Sequence, residues 1–539
     1  MKCTLSLLIL ISNVFYALSA VPHIIRFPHY EARSSGIVSV DSIEKQNGYI
    51  RFYLECRNLP GKGMLMSSKM KLTDVGDTSK YWSVVDMDGA DLDRRFQFPD
   101  SGKVYLTVDF PALPEGVGVV NLVDENLETP FRIIGISLSG DTGSVRKQDD
   151  FSAWLRKSVS SSKDEDIYRS SFLKGWIKGY HPALQWNEGE IYFDNVITKQ
   201  DTVIKVPISP DGRFEVELPL CYPVQQTIFF PSGYVHFYLE PGRTVGVSVP
   251  LEELIIPVGD IADIDLLMTG VEYYGSLAEK NRGLKILRKY CTENTREYLR
   301  NMQNMTSIEY RERQDSLLYR RKAVIDSLRP NAPLKKLMEM NIRFDWARSL
   351  LDYELYYRNE HPLDTLPVSW YGFLHQLPLD DPLSLSAAGY KIFINRLEYI
   401  PPLLKSRVLN GGEILEGFSR MNINLTPQEK ELVVFSAMVR SRSDIAGFPR
   451  YYERLKDFNA KYAQEQIEIS EDIRIRKMYD IYTGVLGLEP SLAFELLFTR
   501  QFVPRLRYLK RKLTPREYDS YTRYINSPLL SEMMDGLNR

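Results

Sequence analysis

Short runs of β-branched and aromatic residues, separated by Gly, Pro and Asp, fill the chain from residue 21 to residue 142. Examples are GYIRFYLEC at 48–56, KVYLTVDF at 103–110 and PFRIIGISLSG at 130–140. Short apolar runs bounded by turn residues are typical of the strands of a β-sandwich. The pattern therefore predicts a first β-sandwich domain over residues 21–142.

A polar stretch follows at 143–165 and is predicted to be a linker or an exposed helix. The β pattern then returns over residues 166–257. In DTVIKVPISPDGRFEVELPL, at 201–220, Pro210-Asp211-Gly212 predicts the turn of a hairpin. Pro207 has no N–H to donate, so we expect its strand to lie at a sheet edge. Residues 166–257 are thus predicted to form a second, small β-sandwich.

From residue 258 to residue 539 the apolar residues recur at spacings of three and four, as in the segments 307–328 and 334–358. This is the period of amphipathic helices, and it predicts an α-helical domain of eight to eleven helices. The fold class is therefore multidomain β then α, with two β-sandwich-like domains before an all-α domain. One predicted stripe contains five apolar residues that end at Pro401-Pro402: Tyr390, Phe393, Ile394, Leu397 and Ile400.

Two adjacent carboxylates precede this stripe, at Asp380 and Asp381. The following Pro382 favours an extended backbone at residue 381, where neighbouring side chains point to opposite faces. Such a pair suits turn and capping roles better than shared acid catalysis.

Three polar residues, Asn395, Arg396 and Glu398, lie mostly off the apolar stripe. Polar side chains in this position suit a contact with a partner, and we take these three as the candidate partner contact. An internal polar network is the alternative for the same cluster.

The first twenty residues resemble a signal peptide, and no second apolar run approaches eighteen residues, so we expect no transmembrane segment in the mature chain. Lys2 precedes a short apolar core, and the small residues Ala17, Ser19 and Ala20 follow it. Residues 1–20 are therefore predicted to be removed on export, leaving a periplasmic or envelope-associated protein.

The composition of the 539 residues excludes some classes of partner. Hydrophobic residues make up 44% of the chain, as in ordinary folded proteins, and the net charge is only −2. No long run of one charge is present, so we expect no nucleic-acid partner.

The mature chain keeps three cysteines, Cys56, Cys221 and Cys291, and no C-x-x-C. We interpret them as small buried apolar residues, with one stabilising bridge as the alternative.

Catalytic motifs are also missing from the sequence. It contains no G-x-S-x-G, no H-E-x-x-H, no Cys/His cluster with metal spacing and no dinucleotide or Walker glycine pattern. A glycosidase needs only two suitably spaced carboxylates, and 70 acidic residues do not identify such a pair. We therefore assign no catalytic, metal-binding or cofactor-binding residue and expect no cofactor.

Seven stretches in order along the chain resemble the N-terminal region of TlpA-type thiol-disulfide reductases, which are exported thioredoxin-family proteins of bacterial envelopes. These stretches are 96–114, 130–140, 201–223, 237–245, 273–281, 373–402 and 526–534. The resemblance implies two β modules followed by a helical module. In the family a thioredoxin domain with a W-C-x-x-C site then follows, but none of the six Trp here precedes a Cys. No redox residue of the family can therefore be carried over.

The resemblance implies an exported, non-catalytic scaffold or binding protein. An alternative is one part of a split or truncated thiol-disulfide oxidoreductase that acts with a separate thioredoxin-fold protein. A second alternative is an envelope module that binds a glycan or a peptide.

Overall fold

The computed structural model of the chain describes residues 23–139, 151–156, 167–257, 267–291, 293–441 and 448–539. The predicted signal peptide and most of the predicted linker lie outside these residues. Two compact units divide the chain. The first contains residues 1–148 with the short segments 179–185 and 255–257, and the second contains the remainder.

The first unit is a β-sandwich, as predicted. One five-stranded sheet has the order β1-β3-β4-β10-β8, another has the order β2-β12-β11-β6-β7, and β5 pairs with β9. The strands are β1 (His23–Arg26), β2 (Ala32–Arg33), β3 (Val38–Lys45), β4 (Tyr49–Arg57), β5 (Gly63–Leu65), β6 (Lys71–Asp74), β7 (Tyr81–Ser83), β8 (Asp86–Asp88), β9 (Arg95–Gln97), β10 (Lys103–Pro111), β11 (Val119–Asp124) and β12 (Phe131–Ser137).

Buried and partly exposed residues alternate along β4, and the buried ones belong to the core of the sandwich. Every second residue, Ile50, Phe52, Leu54 and Cys56, is buried. These side chains share one core with residues of the other sheet, and Phe52 meets Phe110 edge to face at 5.6 Å. Burial of a side chain of this size contributes about 1.5–3 kcal/mol.

The second unit begins with two four-stranded sheets of order β16-β13-β19-β20 and β15-β14-β17-β18. Their strands are β13 (Arg169–Lys178), β14 (Glu188–Asp194), β15 (Asp201–Pro207), β16 (Arg213–Leu220), β17 (Val224–Phe229), β18 (Tyr234–Leu239), β19 (Thr244–Pro250) and β20 (Glu272–Tyr274).

The hairpin expected at 201–220 is only partly formed, and this corrects the sequence prediction. The turn exists, since Gly212 N–H donates to Ser209 O at 2.8 Å, but β15 and β16 then enter different sheets. A single bridge, Ile208 to Phe214, joins them. Pro207 directly precedes that bridge and has no N–H to extend the ladder. The edge position predicted for its strand is confirmed.

Helices fill the rest of the second unit, which confirms the β-then-α fold class. Thirteen α-helices lie within the described part of residues 267–539, more than the eight to eleven expected, and three of them are short helices that begin at a proline, Pro401, Pro515 or Pro528. With two earlier short helices, the set is α1 (Phe151–Arg156), α2 (Leu251–Leu254), α3 (Ala278–Cys291), α4 (Thr295–Asn304), α5 (Ser307–Leu328), α6 (Ala332–Glu360), α7 (Tyr390–Leu397), α8 (Pro401–Leu404), α9 (Gly411–Arg420), α10 (Pro427–Ser441), α11 (Phe448–Lys461), α12 (Ala463–Asp480), α13 (Leu492–Leu509), α14 (Pro515–Thr522) and α15 (Pro528–Leu537).

Turns of 3₁₀ helix and one π-helix connect some of these helices. The 3₁₀ segments in the helical part are Val368–Gln376, Pro382–Ser386 and Lys405–Arg407, and the π-helix is Ile481–Val485. Within the described ranges, no helix combines the length and apolar character that a membrane span requires.

The apolar stripe predicted at 390–400 is confirmed. All five of its side chains are completely buried, and α7 ends at Leu397, before Pro401-Pro402. Phe344 of α6 packs edge to face on both Tyr390 and Phe393. The stripe therefore holds α7 against the long helix α6, which also forms one wall of the cavity described next.

Candidate ligand-binding cavity

A cavity of about 460 Å³, here called the Arg321 cavity, lies where helices α3 to α6 meet strands β17 and β18. Helix α5 contributes Gln314 and Arg321, and α6 contributes Asn341, Asp345 and Arg348. These spacings of seven, four and three residues place the side chains of each helix on one face. The volume lies in the range of small-molecule sites.

Local sequence signals position both helices. Thr306 and Glu309 form a capping box at the start of α5, where Glu309 Oε2 accepts from Thr306 N–H at 2.9 Å. At the start of α6, Asn331 Oδ1 accepts from Leu334 N–H at 3.0 Å. These caps define where the helices begin and hence which residues face the cavity.

Three charged residues on this face form one ion cluster. Arg321 Nη1 donates to Asp345 Oδ2 at 2.7 Å, and Arg348 Nη2 donates to Asp345 Oδ1 at 2.7 Å. Burial by itself raises the pKa of Asp345, but the charges of Arg321 and Arg348 outweigh it and hold that pKa below its usual range. The carboxylate is therefore ionised at neutral pH and holds both guanidinium groups in place.

The cluster continues away from the cavity to a second carboxylate. Arg348 Nη1 lies 3.8 Å from Asp352 Oδ2, and Arg396 Nε donates to Asp352 Oδ1 at 2.8 Å. Tyr298 O–H also donates to Asp352 Oδ2, at 2.9 Å, and the Arg348 guanidinium lies 5.5 Å from the Tyr298 ring centre. Burial raises the pKa of Tyr298 well above its usual value, so the phenol keeps its proton.

Two side chains of the cavity wall keep a hydrogen-bond donor without an acceptor in the described part of the protein. They are Nε2 of Gln314, a residue that is 2% exposed, and Nε of Arg321, which is 5% exposed. A buried donor without an acceptor costs about 1–3 kcal/mol. Both residues belong to the cavity wall, but the two donor atoms are covered, so an acceptor in the cavity reaches them only after the side chains turn.

On the strand side, the polar groups of the cavity are satisfied internally. Gln225 Nε2 donates to Asn341 Oδ1 at 2.8 Å and to Ser386 O at 2.7 Å, which ties β17 to α6. His236 Nδ1 lies 2.8 Å from Thr227 Oγ1. The polar side chains on this side of the cavity therefore have partners within the protein.

The structure divides the three residues predicted as a partner contact between two environments. Glu398 is buried and ion-paired with both Arg500 and Lys199, and Asn395 Oδ1 accepts from Arg500 Nη2 at 3.4 Å. An internal polar network therefore describes Glu398 and Asn395. Arg396 is different, because its side chain is 35% exposed and belongs to the Asp352 end of the ion cluster.

The adjacent Asp380 and Asp381 cap helices, which confirms the role expected for them. Asp381 Oδ1 accepts from Leu383 N–H at 3.0 Å at the start of a 3₁₀ helix, and Asp380 Oδ1 accepts from Leu492 N–H at 3.0 Å at the start of α13. The two carboxylates thus act on different segments of the chain.

The three described cysteines are free thiols. Burial raises the pKa of Cys56 and of Cys221 to about 12 and that of Cys291, in the wall of the Arg321 cavity, to about 11. A thiol with a raised pKa is a poor nucleophile at neutral pH. Cys56 fits the expected small buried residue, while Cys221 and Cys291 are only half-buried.

Gln314 and Arg321 were missed by the sequence reasoning, although their helix contains a signal for them. The buried residues of α5 are Tyr310, Gln314, Leu318, Arg321 and Ile325, which is one helical stripe at spacings of three and four. Two polar residues thus occupy positions that the pattern reserves for apolar ones. Polar residues on an apolar stripe mark a buried polar site.

The chain matches no protein-family model, no curated protein and no solved structure. In the described residues, no group of three or more His, Cys, Asp and Glu side chains is placed to hold a metal ion.

Proposed function

We propose that this chain is an exported, non-catalytic binding protein that takes a small polar molecule into the Arg321 cavity. The observation that carries the proposal is the pair of buried donors, on Gln314 and Arg321, in the wall of a cavity of about 460 Å³. The Gln314 amide turns about a broad terminal torsion, so its donor can face a bound acceptor. A ligand that supplies acceptors offsets the cost of both donors.

Three sequence features support the proposed export, envelope location and non-catalytic role. The signal-peptide pattern of residues 1–20 favours export, and the resemblance to the N-terminal region of TlpA-type proteins favours an envelope location. The sequence lacks the W-C-x-x-C site of that family, so the proposed binding role includes no redox chemistry by this chain.

Blocking the cavity mouth tests the proposal. Ala388 is exposed at the cavity rim, so Ala388→Trp is expected to close the cavity at little cost in stability. Ala323 is an exposed alanine on α5 outside the cavity wall, and Ala323→Trp is the matched control. Ligand-observed NMR with a library of small polar molecules should give binders for the wild type and for Ala323→Trp, and these signals should vanish in Ala388→Trp.

Two results would overturn the proposal. One is a wild-type protein that binds no member of the library at millimolar concentration, and the other is a set of binders that Ala388→Trp leaves unchanged. Oligosaccharides and short peptides belong in the library, since a glycan- or peptide-binding module is one of the alternatives that the sequence leaves open.

The second candidate is one part of a split thiol-disulfide oxidoreductase that acts with a separate thioredoxin-fold protein. The resemblance favours it, because in the family a thioredoxin domain follows the helical module. A neighbouring reading frame that encodes W-C-x-x-C, together with cross-linking of its product to this chain in cells, would support this candidate. Cross-linking that recovers no thioredoxin-fold protein would count against it.

A further inference from the structure

Guanidinium groups outnumber carboxylates in the ion cluster of the Arg321 cavity. Arg321, Arg348 and Arg396 form one continuous cluster with two carboxylates, Asp345 and Asp352. The wall contains two further charged residues, Arg288 and Glu293. Glu293 belongs to a separate group, in which Arg313 pairs with both Glu293 and Glu297. The three-arginine cluster therefore holds one more guanidinium group than carboxylates.

The arrangement of hydrogen bonds leaves donors of this cluster available. Asp345 uses both of its oxygens on Arg321 Nη1 and on Arg348 Nε and Nη2. Arg321 Nε has no acceptor among the residues that the structure describes, and Arg348 Nη1 is 3.8 Å from Asp352, beyond hydrogen-bond distance. Guanidinium groups match carboxylates in geometry as well as in charge. Since both groups are held by one carboxylate, they are preorganised for a second one.

Aliphatic side chains also line the cavity. Leu284 and Leu287 of α3 are buried, next to Arg288 of the same helix, Leu299 of α4 contributes an exposed side chain, and Ile342 belongs to α6. A molecule that fills the cavity therefore meets both cationic donors and aliphatic carbon.

We infer that the ligand of the Arg321 cavity carries a carboxylate, placed toward Arg321, Gln314 and Arg348, next to an apolar body that packs on Leu284 and Leu287. This inference rests on the proposed function and names the chemical class of its ligand. A free organic acid and the C-terminus of a peptide share this chemistry, and the experiment separates these two sources.

The test compares acids with their own amides. Short aliphatic and aryl carboxylates, each paired with its primary amide, are titrated by ligand-observed NMR and calorimetry. A second arm uses short peptides with apolar last residues, each with a free or an amidated C-terminus. We expect the acids to bind at least about tenfold more tightly than the amides, in one arm or in both. Binding in the first arm alone identifies an organic acid, and binding in the second alone identifies a peptide terminus.

Gln314→Met removes one donor at similar volume and leaves the ion cluster intact. Gln501, whose Nε2 contacts Met478 Sδ outside this cavity, provides the matched control Gln501→Met. Gln314→Met should lower the affinity for the acids by about tenfold and change the affinity for the amides much less. Gln501→Met should change neither affinity. Circular dichroism of both variants confirms that they are folded.

The outcomes separate this inference from the proposed function. Amides that bind as tightly as acids, and lose binding in Ala388→Trp, would overturn the carboxylate assignment and leave the cavity as the binding site. Acids whose affinity is the same in wild type and in Gln314→Met would also overturn it. If the wild type binds neither acids nor amides nor any other member of the library, the proposed function and this inference are both overturned.

Discussion

Arg321 Nη1 donates a hydrogen bond to Asp345 Oδ2 at 2.7 Å, and this ion pair joins α5 to α6 across the wall of the Arg321 cavity. Arg321 is almost completely buried, and Arg348 holds the other oxygen of the same carboxylate. Asp345 is thus the one anion between two guanidinium groups, so both the stability of the helical wall and the charge of the cavity depend on it.

Asp345→Ala should destabilise the protein strongly, because it leaves two guanidinium groups without their carboxylate. Breaking a buried pair by removing one partner costs about 3–5 kcal/mol, and the partial exposure of Asp345 to the cavity favours the lower end. Urea unfolding followed by circular dichroism measures the loss. Asp326, whose exposed carboxylate pairs with Lys335 at 2.7 Å, is the control, and Asp326→Ala should cost about 0–1 kcal/mol. Equal losses in the two variants would contradict the role given to Asp345.

Glu354 on α6 should make stability depend on pH in the opposite direction from an ordinary carboxylate. It is 3% exposed, and burial raises its pKa to about 7, while Arg358 Nε, at 3.6 Å from Oε1, only partly offsets this. Between its unfolded pKa of 4.5 and about 7, the folded state holds the proton and the unfolded state does not. The contribution of this group therefore falls as the pH rises through that window, by about 3 kcal/mol at most.

Replacing Glu354 by Gln checks this directly. Unfolding free energies of wild type and Glu354→Gln, measured at several pH values across the window, should converge at its acid end. They should differ in favour of the variant above the folded pKa, because Gln needs no deprotonation. A difference that stays constant with pH would show that Glu354 does not titrate in this window.

The chain should show no thiol-disulfide turnover. Insulin reduction by the purified protein should not exceed that of a cysteine-free control, since burial raises the pKa of Cys56, Cys221 and Cys291. Thiol titration of the denatured, non-reduced mature protein should find all three thiols. Reductase activity that disappears in one Cys→Ser variant would refute the non-catalytic proposal, and a missing pair of thiols would reveal a bridge.

Arg396 and Glu398 should respond very differently to truncation, although they are two residues apart. Glu398→Ala leaves Arg500, which is 3% exposed, and Lys199 without their carboxylate, so a loss of about 3–5 kcal/mol is expected. Arg396→Ala removes a half-exposed partner of Asp352 and should cost about 1 kcal/mol or less. Thermal unfolding of both variants provides the comparison.

The same pair of variants tests the predicted docking role of Arg396. If Arg396 contacts a thioredoxin-fold protein, Arg396→Ala should weaken cross-linking to that protein while the melting temperature changes little. A large drop in melting temperature, with no thioredoxin-fold protein recovered from wild-type cells, would assign Arg396 to folding alone.

Much of the local structure could be predicted from the sequence because it depends on neighbouring residues. The run at 48–56 predicted strand β4, and Ile50, Phe52 and Leu54 share its buried face because successive side chains of a strand point in opposite directions. The stripe from Tyr390 to Ile400 identified the buried face of α7 for the equivalent reason in a helix. The cap at Asp381 followed from proline and turn chemistry within a few residues, whereas Asp380 caps a helix that begins 112 residues further along the chain.

Tertiary structure alone decided which distant residues meet. The sequence of 201–220 determines a turn, but β15 and β16 pair with other strands and belong to different sheets. Arg321 and Asp345 stand on different helices, and their hydrogen bond exists because α5 and α6 pack side by side. Periodicity is a property of a single segment, whereas pairing, burial of charge and the shape of a cavity depend on which faces pack together. For that reason the sequence by itself determined the β-then-α order, the buried face of α7 and the cap at Asp381, and only the packed structure placed Gln314, Arg321 and Asp345 around one cavity.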